Sequence, residues 1–205
     1  MLIKSIIFMI VTCFSCVTYS KSTVLAQAGD VKIIQQNCNT QTFECDYVKT
    51  YQNKTEELIS KWSKSAIAYQ FSPDLIGFKI GATNIPHLLT VYDASNHKQK
   101  FFEALMVDNK NKCFITNEEV KKGQYDIKFY RIPSLKTYYV MSHKTKGLED
   151  FTSLATHYRD KDDGSFHFNY ELIEDGESYY KEIKVMNPCS QKPKMTLVTW
   201  DDNRE

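Results

Sequence analysis

Apolar residues open the chain as one continuous run and then break into short stretches with changing rhythm. Lys4 precedes an apolar segment from Ser5 to Val17, uninterrupted between Ile6 and Val11, which closes on Thr18-Tyr19-Ser20-Lys21. A transmembrane helix needs about 20 apolar residues. This segment is shorter, carries its charge in front and ends on small or polar residues, which is the plan of a secretory signal cleaved near Ser20. No later apolar stretch is long enough to span a bilayer.

Beyond Ser65 the rhythm is that of strands. Ile67 to Phe71, Leu75 to Ile80, Leu88 to Tyr92, Phe101 to Val107, Lys112 to Thr116, Tyr125 to Ile132 and Tyr138 to Ser142 are β-prone runs. Turn residues separate them, among them Ser72-Pro73-Asp74 and Asp108-Asn109-Lys110-Asn111. A hairpin is clearest near the end. Phe166, Phe168, Tyr170 and Leu172 share one face, Glu174-Asp175-Gly176-Glu177 turns, and Tyr179, Lys181, Ile183 and Val185 return.

Two stretches have a longer period. Leu58, Ile59 and Trp62 fall at helical spacing within 52–64, and Leu148, Phe151, Leu154, Ala155 and Tyr158 do so within 147–159. The sequence therefore predicts an α+β fold. Its mostly antiparallel β-sheet carries a helix at 147–159 and a shorter one near 52–64, and its core draws on Phe71, Ile76, Phe102, Phe129, Phe168 and Ile183. The expected organisation is a signal at 1–20, an N-terminal arm with a short disulfide loop and helix at 21–64, a β-rich domain at 65–190 and a β-prone tail at 191–205.

Removing the signal changes the chemistry. Cys13 and Cys16 leave with it, and Cys38, Cys45, Cys113 and Cys189 remain, an even number suited to an oxidising compartment. Three pairings are open. Cys38–Cys45 with Cys113–Cys189 is the favoured one: the first encloses a short polar loop, and the second closes a loop whose removal from the unfolded ensemble is worth about 4 kcal/mol in the chain-entropy model. A zinc site is disfavoured by the wide spacing and the lack of a nearby histidine pair. Loss of Lys4 leaves 25 basic against 25 acidic residues, a balance that argues against nucleic-acid binding. Asn53-Lys54-Thr55 is a glycosylation sequon, so Asn53 is expected on the surface of a secreted protein.

No motif for catalysis, phosphate or cofactor binding stands out, and no metal or cofactor is expected. His157, His167 and Asp160 could meet across one turn. Asp160-Lys161-Asp162-Asp163-Gly164 has calcium-loop composition but fails the EF-hand register, with its glycine one position early and no glutamate at the twelfth. A hairpin turn fits better.

One constellation carries a resemblance. Asp93 follows the apolar strand Leu88 to Tyr92, Lys112-Cys113-Phe114-Ile115 is a strand bearing a cysteine, and Cys189 ends the last hairpin strand. This layout resembles the BRICHOS domain family over residues 65–190; the Cys38–Cys45 pair is additional. The resemblance implies Cys113 and Cys189 as the family's disulfide, Asp93 as its aspartate, and a chaperone-like module that binds β-prone peptide segments by strand addition. A natural client would be the chain's own Met195 to Trp200. Asp93, if buried among apolar strands, would have a raised pKa and gate binding by pH; the bland alternative is that it opens the turn Asp93-Ala94-Ser95-Asn96.

The expectation is thus a secreted, non-enzymatic binding module for a peptide or protein client, with no transmembrane segment after signal removal. A β-barrel or curved-sheet carrier of a small apolar ligand, lipocalin- or ependymin-like, is the alternative. A hydrolase with an unrecognised site is a third reading.

Overall fold

The structure is a computed structural model that describes residues 22–82, 85–142, 144–145, 154–174 and 177–199. The signal segment expected at 1–20 lies outside these residues. The described chain is all β and contains no helix, which corrects the α+β expectation.

Four antiparallel sheets follow one another along the sequence, each a four-stranded meander in which neighbours in sequence are neighbours in space. The first holds β1 (Thr23–Ala28), β2 (Val31–Gln36), β3 (Cys45–Tyr51) and β4 (Lys54–Trp62). The second holds β5 (Ser65–Ser72), β6 (Leu75–Ala82), β7 (Ile85–Asp93) and β8 (Lys98–Phe101). The third holds β9 (Ala104–Asp108), β10 (Cys113–Lys121), β11 (Gln124–Arg131) and β12 (Thr137–Met141). The fourth holds β13 (Leu154–Arg159), β14 (Phe166–Glu174), β15 (Glu177–Met186) and β16 (Lys194–Thr199). Serial four-stranded meanders are also the unit that β-propellers repeat.

Both expected helices are strands where they are described. The stretch read as a helix at 52–64 is β4, and the described part of 147–159 is β13; residues 147–153 lie outside the described set. Irregular pairing explains the misreading. The β3–β4 register shifts between Cys45 and Tyr47 and again between Tyr47 and Val48, with Lys61 at φ 48. The β13–β14 register shifts between Leu154 and Thr156. Each bulge inserts a residue, so a period of two acquires intervals of three and four that imitate a helical stripe.

Each sheet packs on the next through its own apolar layer. Ile33 and Tyr47 of the first sheet meet Ile76 and Phe78 of the second. The other face of the second sheet, with Phe71, Leu89 and Phe101, meets Phe114 and Tyr130 of the third. The far face of the third, with Ile115 and Phe129, meets Phe168 and Ile183 of the fourth. Phe102, expected in the core, is instead 61% exposed, because the chain turns out of β8 just before it.

Disulfides close the first sheet and join the last two. Cys38–Cys45 bridges the β2–β3 connection, and Cys113–Cys189 ties β10 to the segment after β15. Around the second, Arg131 lies 4.1 Å over the Tyr138 ring and donates to the Cys189 carbonyl, while the Tyr138 hydroxyl donates to the Pro188 carbonyl. Of the expected client segment, Met195 to Trp200, the described part to Thr199 is already paired as β16 against β15, and Trp200 lies outside the described residues.

Candidate functional site

The site begins with a mismatch in strand length. β9 pairs with β10 from Asp108↔Cys113 to Ala104↔Thr116, and the next contact is a single bond from the Asn117 N–H to the Glu103 carbonyl at 3.0 Å. β10 continues to Lys121, and there its neighbour among the described residues is β11 alone. Backbone groups of an antiparallel strand alternate sides. Since the Asn117 N–H points toward β9, that of Glu118 points toward β11, and Glu119 turns its N–H and carbonyl to the open side. Val120 has no register partner on β11 and is 40% exposed.

A cleft of about 480 Å³ runs beside this edge, between the link from β8 to β9 and the β10–β11 hairpin. Phe102 stands exposed in one wall; Tyr125 and Tyr130 line the other. Asn117 is 7% exposed, and its Oδ1 is buried without a hydrogen-bond partner. Buried polar atoms are nearly always paired, and this acceptor behind the cleft wall is an exception.

The carboxylates in the cleft differ in state. Glu118 Oε1 accepts from the Tyr130 hydroxyl at 2.5 Å and the Thr116 hydroxyl at 2.8 Å, while Oε2 pairs with Lys128 at 2.7 Å. Burial pushes the Glu118 carboxyl up, and these partners outweigh it, leaving the group below the usual carboxylate range. Burial, and then the Glu118 contact, push the Tyr130 hydroxyl up to about 12. Glu103 goes the other way: burial raises it, and the His87 backbone N–H and the Lys79 charge offset this only in part.

Behind Glu103 lies a second cluster. The rings of His87 and His157 meet edge to face with centroids 5.6 Å apart, and Lys79 Nζ is 3.4 Å from the Leu105 carbonyl. Burial lowers Lys79 to about 8, against the pull of Glu103. Burial, with the charges of Lys79 and His87, lowers His157 to about 4. Gly81 makes room for this cluster: a Cβ there would sit 1.8 Å from the His87 ring.

A third arrangement has the connectivity of a hydrolytic triad. Ser165 Oγ is 2.7 Å from His167 Nε2, and His167 Nδ1 contacts Glu182 Oε1, with the Tyr158 ring stacked on His167 at 4.6 Å. Acyl transfer also needs an exposed nucleophile and free N–H groups for the oxyanion. Ser165 is 0% exposed, its N–H donates to Asp163 Oδ1, and the Gly164 N–H donates to the Asp160 carbonyl. The chain of bonds instead locks β13, β14 and β15 together.

The residues singled out by sequence are scattered. Asp93 ends β7 half-exposed; Oδ1 accepts from the Ser95 and His97 N–H groups at 2.9 Å each, and Oδ2 pairs with His97 Nδ1 at 2.9 Å. Slight burial pushes its carboxyl up, and the bonds from His97 and Ser95 outweigh that and hold it below its ordinary value. The raised pKa expected for Asp93 is therefore reversed, because the carboxylate caps a turn instead of facing apolar strands. Asn53 sits exposed at the β3–β4 turn, where Gln52 (φ 46) and Asn53 (φ 63) form the left-handed pair that two-residue hairpins favour.

Asp160 and His167 come together, but their third companion is Asp163, with ligand atoms all within 4.8 Å. His157 lies with His87 instead. Asp163 is already bound to Lys184 at 2.6 Å and to the Ser165 N–H at 2.8 Å, so these groups are committed to the turn.

The free β10 edge and the His167 network escaped the sequence reading. A signal existed for the second: pairing outward from Glu174↔Glu177 sets Asn169 opposite Glu182, which makes His167 and Glu182 diagonal neighbours on one face. Nothing in the strand lengths marked where β9 would stop.

Comparison with protein-family models, curated proteins and solved structures gives no match for this chain. No helix among the described residues is long and apolar enough to cross a membrane.

Proposed function

We propose that this chain is a secreted, non-enzymatic binding module that takes extended, β-prone peptide segments at the open edge of β10. The observation that carries this reading is β10 outrunning β9, which leaves the Glu119 N–H and carbonyl facing an aromatic and polar cleft. Strand addition supplies backbone hydrogen bonds at such an edge, and the cleft beside it reads alternate side chains. Phe102 offers an exposed apolar surface in that cleft.

The BRICHOS resemblance implies the same mode of binding. Two disulfides suit an oxidising compartment, and the segment at 1–20 supplies the route of export. Neither Asp93 nor Met195 to Thr199 has a part in this reading, since the first caps a turn and the second is β16. The carrier reading gains no support from the clefts beside Asp108 and beside Asp46, which are lined mainly by charged and amide side chains, and the cleft beside β10 sets Lys100, Glu103, Glu118 and Glu119 among its aromatic rings.

The test is a titration of the mature chain with a capped, fluorescently labelled peptide of alternating threonine and valine. Saturable binding that is lost in Glu119→Pro supports the reading. No binding up to millimolar peptide, or binding unchanged in Glu119→Pro, overturns it.

A further inference from the structure

Glu103 touches both the open edge and the histidine cluster behind it. Its carbonyl accepts the Asn117 N–H, the last backbone bond of β10 toward the β9 side among the described residues. Its carboxylate accepts the His87 N–H and lies beside Lys79. The residue holds φ 47, in the left-handed region that a side chain other than glycine keeps only where its surroundings enforce it. We propose that Glu103 is an acid-operated gate on the β10 edge: protons taken up by His87 and His157 release residue 103, free the Asn117 N–H and lengthen the edge offered to a client strand. This rests on the reading of β10 as a strand-accepting edge and names how that site is regulated.

Three sheets supply the groups of the gate. Lys79 of β6 and His87 of β7 face Glu103. Lys79, His87, the Leu105 carbonyl of β9 and the Phe166 ring of β14 surround His157. With both imidazoles neutral, the Glu103 carboxylate balances Lys79. Each imidazole that gains a proton adds a positive charge that Glu103 can no longer balance, in a partly buried site where water screens little. Phe102, next to Glu103, is 61% exposed, so the link that carries Glu103 borders solvent and can move without unpacking a core.

Opening takes up protons on balance. His157 titrates at about 4 in the closed cluster against an ordinary 6.5, and burial, then Lys79, hold His87 below its ordinary value. Glu103 acts in the opposite sense, because burial raises its carboxyl and the closed site binds that proton more readily. Lys79, at about 8, has taken most of its proton by pH 7.5 and adds little below it. Two histidines against one carboxyl leave net uptake between about 6.5 and 4, so acid favours the open edge. A client that needs the longer edge then binds in proportion to the open fraction.

Amide exchange, corrected for the intrinsic effect of pH, and titration with the threonine–valine peptide test this at pH 7.5 and pH 5. In the wild-type chain the protection of Asn117 falls at least about fivefold at pH 5, while Ile115 and Ile183 stay protected. Peptide affinity rises at least about threefold. His157→Gln, which does not titrate and keeps a donor for the Leu105 carbonyl, shrinks both changes, and the His87→Gln/His157→Gln pair removes them. Asn117 protection that is the same at both pH values, affinity that falls with acid, or responses that survive in the double variant overturn the gate. Loss of protection at Ile115 and Ile183 together with Asn117 marks global unfolding and overturns it too. Peptide that binds equally at both pH values and is lost in Glu119→Pro overturns the gate alone; no binding at either pH overturns the strand-accepting reading.

Discussion

The Asn117 N–H meets the Glu103 carbonyl at 3.0 Å, and that bond marks the point where β10 loses its partner on the β9 side. Up to Thr116 the strand is internal to its sheet; from Glu118 onward it is an edge beside a cleft. The proposed function depends on that change within one strand.

Proline substitution separates the two sides of this edge. Glu119→Pro removes an N–H that faces the open side, so it costs less than about 1 kcal/mol beyond the loss of the Glu119 bond to the Gly123 N–H. Glu118→Pro removes an N–H directed at β11 along with the carboxylate that binds Lys128 and Tyr130, and costs at least about 3 kcal/mol. Chemical denaturation of the two variants checks the order. Equal losses would mean that the edge is not open at Glu119.

The Ser165–His167–Glu182 chain is predicted to act in stability, not in hydrolysis. Glu182→Leu strands a buried imidazole and costs about 3–5 kcal/mol, whereas Ser165→Ala removes one hydrogen bond and costs about 0.5–1.5 kcal/mol. A fluorophosphonate probe leaves Ser165 unlabelled in the native protein, read by mass spectrometry. Stoichiometric labelling at Ser165 would assign it the role of a nucleophile.

Stability should fall as pH drops from about 6.5 toward 4, through the histidines behind Glu103. His157 has a folded value of about 4 against 6.5 unfolded, and burial lowers His87 too. Between those values the unfolded chain binds protons that the folded chain refuses, so the stability is fully present above about 6.5 and declines below it. The groups facing His157 are Lys79, His87 and the Leu105 backbone, with Glu103 against Lys79 and His87. Carboxylates held low lose their stabilisation only below their ordinary values, 3.8 for Asp108, where the Asn111 and Arg159 contacts outweigh burial, and 4.5 for Glu118, so most of the histidine effect lies at higher pH. His157→Leu should flatten the upper window by about 1–2 kcal/mol, a figure reduced for its partial exposure. Urea unfolding at pH 7.5 and pH 5 measures the difference.

The Cys113–Cys189 bond joins the third and fourth sheets across a separation of 76 residues. Replacing both cysteines by serine should cost about 2–5 kcal/mol. The shorter Cys38–Cys45 bridge, with a separation of 7, should matter less to global unfolding. Denaturation of the two double variants compares them directly.

Much of the fold was legible where strands are regular. Phe166 and Phe168 alternate with His167 in the sequence, and the turn at 174–177 fixed the hairpin that Glu174↔Glu177 closes. Both cysteine pairings were readable from count, spacing and compartment. Bulges defeated the rest: at Lys61 and between Leu154 and Thr156 an inserted residue gave a strand the rhythm of a helix. The site was hidden for a different reason. It depends on where β9 stops relative to β10, a relation between two strands that neither sequence carries alone, and Phe102 reads as core until the turn after β8 is known.

Amide hydrogen exchange across residues 117–121, with and without the threonine–valine peptide, tests the central claim most directly. In dilute free chain the Glu119 amide should exchange fast while that of Glu118, directed at β11, is protected. Saturating peptide should slow Glu119 at least tenfold and leave the exposed turn at Asn53 unchanged. A Glu119 amide already protected in the free, monomeric chain, or one whose exchange does not respond to bound peptide, would contradict the account.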